Sequence, residues 1–463
     1  MQTLTPTAVR LNNLSGSAAD LDDSPDAPDG LWCTRLGAYV WVVYPSGGTL
    51  RYVGQTPTVG DVYAFRDPTG SDLFLDPAAG SDGNGTEGSP WNTLTATRVR
   101  SLVAGQALWI RDGSVAFPDT PTGVNSGTSG NRITIASYPG ETGTLTFSDS
   151  ANPGGTLLGG GEYWDFRGLG LYAENFGINL GSGSPTGAGD GDDMDYVRFI
   201  DCTGTRNSLS ETDNSGIIQV VAGIGVEIIR GSYSCPAGAG SANQSLLWFD
   251  YVQNMKILGA LLVGCGNPIY FKHTDVNSSG TPGGQVKNCI IRSAGRKVPA
   301  SLNWVEYINN VFDTAGLALD EDGGGVAGGR NCTISHCTFY NSNIAGNNGN
   351  SIDNLLMTDC VLAGSSKLAV DAYTAAERNN DSDYTACTTG SHFWRDGTNR
   401  TLSAHQSAYS GQETNGVAGT ITFAGSASST PANWALAAGS NGENAASDGS
   451  DCGVNAANLL TVN

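Results

Sequence analysis

The chain has 463 residues, 65 of them glycine, and 44 acidic against 23 basic side chains, for a formal net charge of −21. Plentiful apolar residues exclude wholesale disorder, and the lack of a Gly-X-Y period excludes a collagen. The acidic excess argues against nucleic-acid binding and against adhesion to anionic membranes, and no apolar run approaches the length of a membrane span. Many Gly, Asn, Ser and Thr between short apolar runs predict an all-β protein rich in turns.

The first seventy residues predict a small β-rich module, 1–70. The segment 17–34 holds five aspartates between Asp20 and Asp29, which fit a solvated loop, a calcium loop or a docking surface for another subunit. Calcium requires oxygens that converge from several positions. The following AYVWVVYPSGGTLRYVG predicts a hairpin with its turn at Pro45–Gly48. The opening MQTLTPTAVRLNNL lacks the pattern of an export signal.

A capping helix is predicted near 91–104. Leu94, Arg98, Val99, Leu102 and Val103 have helical spacing, and Gly105 suits the stop that follows. The segments ALWIRDG and RITIASYPGE then predict the first coils of a repeat.

One pattern recurs along the rest of the chain: two apolar residues in alternation, a gap of two residues, and then a small or amide-like anchor. The anchors are 169, 202, 231, 260, 289, 310, 337 and 360, at steps of 21 to 33 residues. Each step fits one coil of a parallel β-solenoid with three short strands, whose inner faces stack into one continuous core.

Four anchors are cysteines, Cys202, Cys289, Cys337 and Cys360. The ten cysteines are spaced singly, without the CxxC or histidine spacing of a zinc site. We expect an inward ladder of packed free thiols rather than disulfides, metal ligands or redox groups, consistent with a reducing compartment. Apart from calcium at the acidic run, no cofactor is expected.

Charged and aromatic residues cluster on another set of strands, 215–221, 245–252, 268–275 and 316–324. If these strands form one sheet, they group Trp248 and Asp250 with residues of the next three coils. Those residues are Lys272, His273 and Asp275, then Arg296 and Lys297, then Asp320, Glu321 and Asp322.

Two chemistries fit this cluster. A β-eliminating lyase needs a base and a cation that neutralises a uronate carboxylate, and a glycosidase needs two carboxyl groups across the scissile bond. We assign catalysis to Lys272, His273, Asp275, Asp320 and Asp322. Substrate binding falls to Trp248, Asp250, Arg296, Lys297 and Glu321. Glycan contact without catalysis and an ordinary solvated surface are the alternatives.

Three segments resemble the pectate-lyase-like right-handed parallel β-helix superfamily. They are LFLDPAAGSDGNGTEGSPWNTL (Leu73–Leu94), GNRITIASYPGE (Gly130–Glu141) and NWALAAGSNGENAASDGSDCGV (Asn433–Val454). The resemblance implies an all-β, three-sheet right-handed parallel β-helix over 71–455, followed by a tail, 456–463. This fold carries lyases, hydrolases, epimerases and binding proteins, so it implies no single activity.

The acidic segment 17–34 is similar to one near the start of many tailed-bacteriophage virion proteins. With the thiols and the layout of the chain, it implies a homotrimeric tailspike in the virion. Its N-terminal module would bind other virion proteins, and its β-helix would bind host-surface polysaccharide, either with or without depolymerising it. One alternative is a stand-alone bacterial polysaccharide lyase or glycoside hydrolase acting outside the cell. Another is a non-enzymatic decoration protein of the virion.

Overall fold

The structure, a computed structural model, describes part of the chain and divides it into two compact units, 1–70 and 71–463. The described residues are 21–23, 30–33, 38–43, 51–55, 66–147, 156–181, 194–207, 216–221, 223–235, 244–250, 252–265, 267–271, 284–293, 298–300, 305–319, 331–345, 355–369, 381–395 and 398–459.

The first unit contains a four-stranded antiparallel sheet of Leu21–Asp23, Gly30–Cys33, Ala38–Val43 and Arg51–Gln55, in that order. The last two strands pair as the predicted hairpin, and their predicted turn at Pro45–Gly48 lies outside the described residues. Part of the acidic run is strand rather than loop, because Asp22 and Asp23 pair with Trp32 and Leu31. Its other aspartates lie outside the described residues.

The second unit is a parallel β-solenoid with three faces. The first face consists of Leu73–Leu75, Ala107–Ile110, Ile133–Ser137, Trp164–Arg167, Gly284–Lys287, Val305–Ile308, Thr333–Ser335, Leu356–Thr358 and Asp381–Asp383. The second face consists of Gly113–Ala116, Gly143–Phe147, Gly170–Ala173, Ile290–Arg292, Val311–Asp313, Thr338–Tyr340, Val361–Ala363, Ala386–Thr388 and Val417–Gly419. Three long strands, Arg198–Arg206, Glu227–Ser234 and Met255–Val263, bend across the corner and join these two faces.

The third face consists of Thr156–Leu158, Ile178–Leu180, Ile218–Val221, Ser245–Asp250, Asn267–Phe271, Val298–Ala300, Leu317–Leu319, Ile344–Ala345, Leu368–Ala369, Ser391–Arg395 and Thr398–Thr401. All neighbours on this face are parallel except the last pair. The predicted fold class, an all-β right-handed parallel β-helix with three sheets, is confirmed.

The core is built from in-register columns of inward side chains. Phe166, Phe199, Ile228 and Ile257 follow one another coil by coil, and each is fully buried. The rings of Phe166 and Phe199 stack with centroids 4.8 Å apart. The apolar pattern read from the sequence therefore does point inward, and successive coils bury it as a continuous core.

The two-residue gap of the pattern is a bend in the backbone. The residue directly before each anchor has a left-handed φ between 44° and 64°. These residues are Gly168, Asp201, Arg230, Gly259, Asn288, Asn309, His336 and Asp359. Tyr384, further along the chain, has the same conformation, with a φ of 55°. Gly, Asn and Asp adopt this conformation most readily. The bend at Tyr384 reveals a further coil that the apolar pattern missed, because polar Ser382 and Thr385 fill its buried positions.

The capping helix is shorter than predicted. It runs from Ala96 to Ser101, and the side chain of Thr95 accepts a hydrogen bond from the Arg98 N–H at its N-terminus. Val99 is buried, whereas Val103 is 52% exposed, because the helix ends before it. A second helix, Leu402–Ala408, and a short 3₁₀-helix, Pro431–Trp434, follow near the other end of the solenoid.

The predicted thiol ladder is present. Cys202, Cys289, Cys337 and Cys360 are free and fully buried, and burial raises the pKa of Cys202, Cys289 and Cys337 to about 12. The expectation of free thiols is wrong for one pair: Cys235 and Cys265 form a disulfide. Their separation of 30 residues is about one coil, so they lie side by side, with Cα atoms 5.5 Å apart.

The C-terminal segment packs on the outside of the second face. Outward Ile290 and Val311 cluster with Trp434, Val454 and Leu459 of this segment. Leu459 is only 3% exposed, although it falls in the tail predicted from 456 onward. The segment therefore covers the apolar part of this face, which leaves the outer residues of the other two faces as candidates for a site.

Candidate functional site

The strands of the predicted cluster do form one sheet. Ile218–Val221, Ser245–Asp250, Asn267–Phe271, Val298–Ala300 and Leu317–Leu319 are consecutive on the third face. Trp248 and Asp250 are described, whereas the other predicted residues lie outside the described part of the chain. Those residues are Lys272, His273, Asp275, Arg296, Lys297, Asp320, Glu321 and Asp322. Their assignment to catalysis or binding stays a prediction.

The described strand ends that adjoin these residues in the chain fall into two groups. Lys272 and Asp320 directly follow Phe271 and Leu319, which are the last residues of strands aligned in register through Ala300. Arg296 and Lys297 instead precede Val298, the first residue of the intervening strand. In a parallel sheet all strands end at one edge and begin at the other.

An outward row of amides and aromatic rings lies on the third face. Asn179, Gln219, Trp248 and Tyr270 occupy the same register position on four consecutive coils. Their neighbours along each strand point into the core, so this row points away from it. Trp248 packs with Tyr270 and Val221 in a small apolar cluster separate from the main core. The four side chains are nonetheless only 1–8% exposed.

Two polar atoms in this row have no hydrogen-bond partner among the described residues. They are the indole Nε1 of Trp248 and the side-chain oxygen Oδ1 of Asn179. A buried tryptophan N–H is normally hydrogen-bonded, and an unmade bond costs about 1–3 kcal/mol. The Gln219 side chain, in contrast, has a hydrogen-bond partner, since it donates to the Gly216 carbonyl at 3.4 Å. Asp250 is also buried on this side of its strand, opposite Val221.

A second polar site, which sequence reasoning missed, surrounds Asp165 on the first face. One Asp165 oxygen accepts from Nε of Arg132 at 2.6 Å and from Nε of Arg198 at 2.7 Å. The other accepts from Arg198 and Arg167, each at 2.7 Å. The Asp165 side chain is 2% exposed and the three arginines are 12–21% exposed. Coil register could have found the site, since Asp165 and Arg198 are paired neighbours.

The hydrogen bonds and charges around Asp165 stabilise the ionised form of its carboxyl group. Burial by itself would raise the pKa of Asp165, but the hydrogen bond from Arg198 and the charges of Arg167 and Arg132 keep that pKa below its ordinary value. Burial lowers the pKa of Arg132, the most buried of the three arginines. Further along the same outer row, Lys256 pairs with Glu227 at 3.0 Å. All three arginines thus share the Asp165 carboxylate, and Glu227 lies next to Arg198 in the same row.

The described residues offer no ready metal centre. No group of three or more His, Cys, Asp or Glu side chains within them is arranged to hold a metal ion. The aspartate run considered for calcium lies outside the described side chains. No helix within the described part of the chain is long and apolar enough to cross a bilayer.

Comparison with known proteins adds little beyond the fold. Neither a family model nor a curated protein matches the chain. Solved structures that it resembles include pectate lyase Pel9A, with 15% identity over 84% of this chain and 96% of that one, at a TM-score of 0.44. An alginate lyase from Paenibacillus sp. str. FPU-7 has 15% identity over 65% and 94%, at a TM-score of 0.36.

A rhamnogalacturonan lyase has 12% identity over 81% of this chain and 96% of that one, at a TM-score of 0.37. At such identities and TM-scores these likenesses carry no argument about activity.

Proposed function

We propose that this β-helix protein binds polysaccharide, and that the glycan binds on the third face, at the outward row. The proposal rests on Trp248, whose ring lies in the row and whose buried N–H has no acceptor within the described part of the chain. A sugar offers both an apolar ring face and hydroxyl groups, which suit a site of aromatic rings with a few placed polar groups. Asn179 supplies, on the same row, an acceptor that no described residue pairs with.

A row with one residue per coil also suits a linear polymer. Strands of a parallel sheet are about 4.8 Å apart, so the four side chains form a line along the axis of the solenoid. Consecutive sugars of one chain meet consecutive coils, and affinity accumulates from small contributions at each coil.

Trp248→Phe tests how much the Trp248 N–H contributes to glycan binding. The variant keeps an aromatic ring but removes the N–H, so we expect affinity for the bound glycan to fall about three- to tenfold. The free energy of unfolding should change by less than about 1 kcal/mol, because lost packing is offset by removal of an unpaired donor. Binding to capsular polysaccharide and lipopolysaccharide of candidate hosts is measured by calorimetry, and stability by urea unfolding.

Trp109→Phe is the matched control, because the Trp109 N–H donates to Asp72 at 3.2 Å on an early coil. This change should lower the free energy of unfolding by about 1.5–3 kcal/mol, the value of a hydrogen bond to a charged group, and leave affinity intact. If Trp248→Phe bound every glycan as tightly as the wild type, the proposal that this row contacts the glycan would lose its support.

Cleavage of the glycan is a second candidate function, favoured by the register of the third face. Phe271 and Leu319, which precede Lys272 and Asp320 in the chain, are aligned in register through Ala300. A base and a carboxylic acid are the groups that a lyase or a glycosidase needs.

Lys272→Ala and Asp320→Ala are each expected to abolish cleavage. New reducing ends and the absorbance of unsaturated uronates are followed together: both signals indicate a lyase, and reducing ends alone indicate a hydrolase. Asp201→Asn, at an exposed corner of the first face, should cleave like the wild type. Cleavage that survives in either alanine variant would exclude that residue from catalysis.

The setting of this function is proposed to be a virion spike, with 1–70 as the attachment module and a homotrimer as the assembled form. The support is that 1–70 is a compact unit of its own, with an antiparallel sheet unlike the solenoid. The alternative is a stand-alone lyase or hydrolase outside the cell. Antibody labelling of purified particles decides between them, since protein found only in particle-free medium contradicts the spike.

A further inference from the structure

A hydroxyl and an imidazole are hydrogen-bonded at the corner between the second and third faces of the last coil. Thr388 ends the strand Ala386–Thr388, and His392 lies in the next strand, Ser391–Arg395. Thr388 Oγ1 and His392 Nε2 are 2.8 Å apart. The other ring nitrogen, Nδ1, lies 2.6 Å from the Ser366 carbonyl oxygen on the preceding coil. The hydroxyl, the imidazole and the carbonyl therefore form one continuous chain of hydrogen bonds.

The Ser366 carbonyl decides which nitrogen of His392 carries the proton. A carbonyl oxygen only accepts, so the neutral ring holds its proton on Nδ1 and donates it to Ser366. Nε2 then has only a lone pair, and its bond with Thr388 has one direction, in which the Thr388 hydroxyl donates. This is the arrangement in which an imidazole removes a proton from a hydroxyl whose oxygen attacks an electrophile.

A β-bulge positions the His392 side chain. In the antiparallel pairing with the final strand of the third face, Ser391 and Phe393 have consecutive partners, so His392 between them is an extra residue. Phe393 is buried in the main core. Bulges re-aim a side chain and are frequent next to active sites. The bulge therefore lets His392 pack at the corner, where its ring reaches the end of the neighbouring strand.

The carbonyl that orients His392 is itself held in place. Ser366 is fully buried, and its hydroxyl donates to the carbonyls of Ala363 at 2.7 Å and Phe339 at 2.8 Å. The same hydroxyl accepts from the Ser342 N–H at 2.9 Å. His392 is only 4% exposed. A base that is fixed in this way needs no reorganisation when the proton moves.

The hydroxyl end of this chain of hydrogen bonds is open to solvent. Thr388 is partly exposed and Gly390 is exposed, whereas His392 is buried. Gly390 leaves room at the imidazole, because an added Cβ there would lie 3.2 Å from Nε2. A small molecule can therefore approach the Thr388 oxygen from the side on which the base lies.

We propose that Thr388 is a nucleophile that takes the acyl group of a small ester, with His392 as its base. Thr388 Oγ1 attacks the ester carbonyl carbon while its proton passes to His392 Nε2. The tetrahedral intermediate then releases the alcohol, whose oxygen takes that proton from Nε2, and the acyl group stays on Thr388. Water, deprotonated by the same nitrogen, attacks the acyl-threonine, and the proton returns to the Thr388 oxygen as the carboxylic acid leaves.

This site is on the last coil, apart from the row at Trp248, and does not depend on glycan binding. Acetylation of the full chain by p-nitrophenyl acetate tests it: p-nitrophenolate release gives the rate, and mass spectrometry of proteolytic peptides identifies the acetylated residue. Thr389 is an internal control, because it has the same hydroxyl at an exposed position while His392 bonds to its neighbour.

A positioned base accelerates such a step about 10²–10⁴-fold, so we expect acetylation of Thr388 at least about tenfold faster than that of Thr389. Release of p-nitrophenolate should then continue past one equivalent per chain, because water removes the acetyl group. Acyl-enzyme chemistry of this kind gives a burst followed by slower turnover.

Three variants separate the reaction from a structural hydrogen bond. Thr388→Val keeps the β-branched shape and should lose acetylation at this position, whereas Thr388→Ser keeps a hydroxyl and should retain it. His392→Asn keeps an N–H donor for the Ser366 carbonyl but has no base, so acetylation of Thr388 should fall at least about tenfold. The melting temperature of each variant shows whether it is folded.

Four results would overturn the site. One is that Thr388 is acetylated no faster than Thr389, and another is that Thr388→Ser, still folded, loses the reaction. The third is that a folded His392→Asn variant acetylates Thr388 like the wild type. The fourth is release of p-nitrophenolate that stops at one equivalent, which would exclude the hydrolysis step.

Discussion

Asp165→Asn is expected to lower the free energy of unfolding by about 3–5 kcal/mol, the range measured when one partner of a buried ion pair is removed. The Asp165 side chain is 2% exposed and accepts hydrogen bonds from three arginines. Asparagine has one acceptor oxygen and no charge, so it leaves three guanidiniums close together, partly desolvated and mutually repulsive. Urea unfolding at pH 7 measures the loss.

Asp201→Asn is the matched control. Asp201 pairs with Arg230 at 2.6 Å on the same side of the solenoid, but these two side chains are 52% and 36% exposed. An exposed pair is worth about 0–1 kcal/mol, so this variant should unfold almost like the wild type. If Asp165→Asn lowered the free energy of unfolding as little as the control does, solvent would already compensate the charges of the three arginines.

Glu413→Gln is expected to flatten the dependence of stability on pH. Glu413 is fully buried beside the polar last coil, where it accepts hydrogen bonds from the side chain of Thr385 at 2.7 Å and from its backbone N–H at 3.1 Å. Burial raises the pKa of Glu413 from 4.5 to about 7, against the opposing effect of these hydrogen bonds.

The sign follows from proton uptake. Between pH 4.5 and about 7 the folded chain holds a proton on Glu413 that the unfolded chain has released, so stability is lost as pH rises through this window. The shift corresponds to about 3 kcal/mol. Relative to the glutamine variant, the wild type should therefore become less stable by about that amount between pH 4.5 and pH 8, as measured by urea unfolding at several pH values.

Glu443→Gln controls for the loss of an acidic side chain at an exposed position of the C-terminal segment. This variant should follow the pH profile of the wild type. If Glu413→Gln also followed the pH profile of the wild type, Glu413 would already be ionised in the folded state.

Most of the solenoid could be predicted from the sequence because its core has a local signature. Each coil repeats the same spacing of apolar residues around a small anchor, and inward positions such as Phe199, Cys202 and Ile257 are fully buried as expected. The pattern failed at the last coil, where buried Ser382 and Thr385 replace apolar residues, and Gln412 and Glu413 provide their hydrogen bonds. A buried polar position has no apolar signature to detect.

The sites were less predictable. Trp248 was selected from its strand, and the structure places it in an outward row with Asn179, Gln219 and Tyr270. The sequence does not show that its N–H lacks a partner, because that depends on every atom around the ring. The arginines around Asp165 were missed for a related reason: Arg132 and Arg198 are 66 residues apart in the chain and meet only across coils.

The sequence by itself therefore determined the class of fold, the repeat and the inward face of each coil, since these depend on spacing between near neighbours along the chain. Only the tertiary structure decided which outward side chains share a site. That depends on the register between coils and on backbone bends such as those at Tyr163 and Tyr196, where a shift of one residue sends a side chain to the opposite face. The disulfide between Cys235 and Cys265 and the carboxylate shared by three arginines both arise from that register.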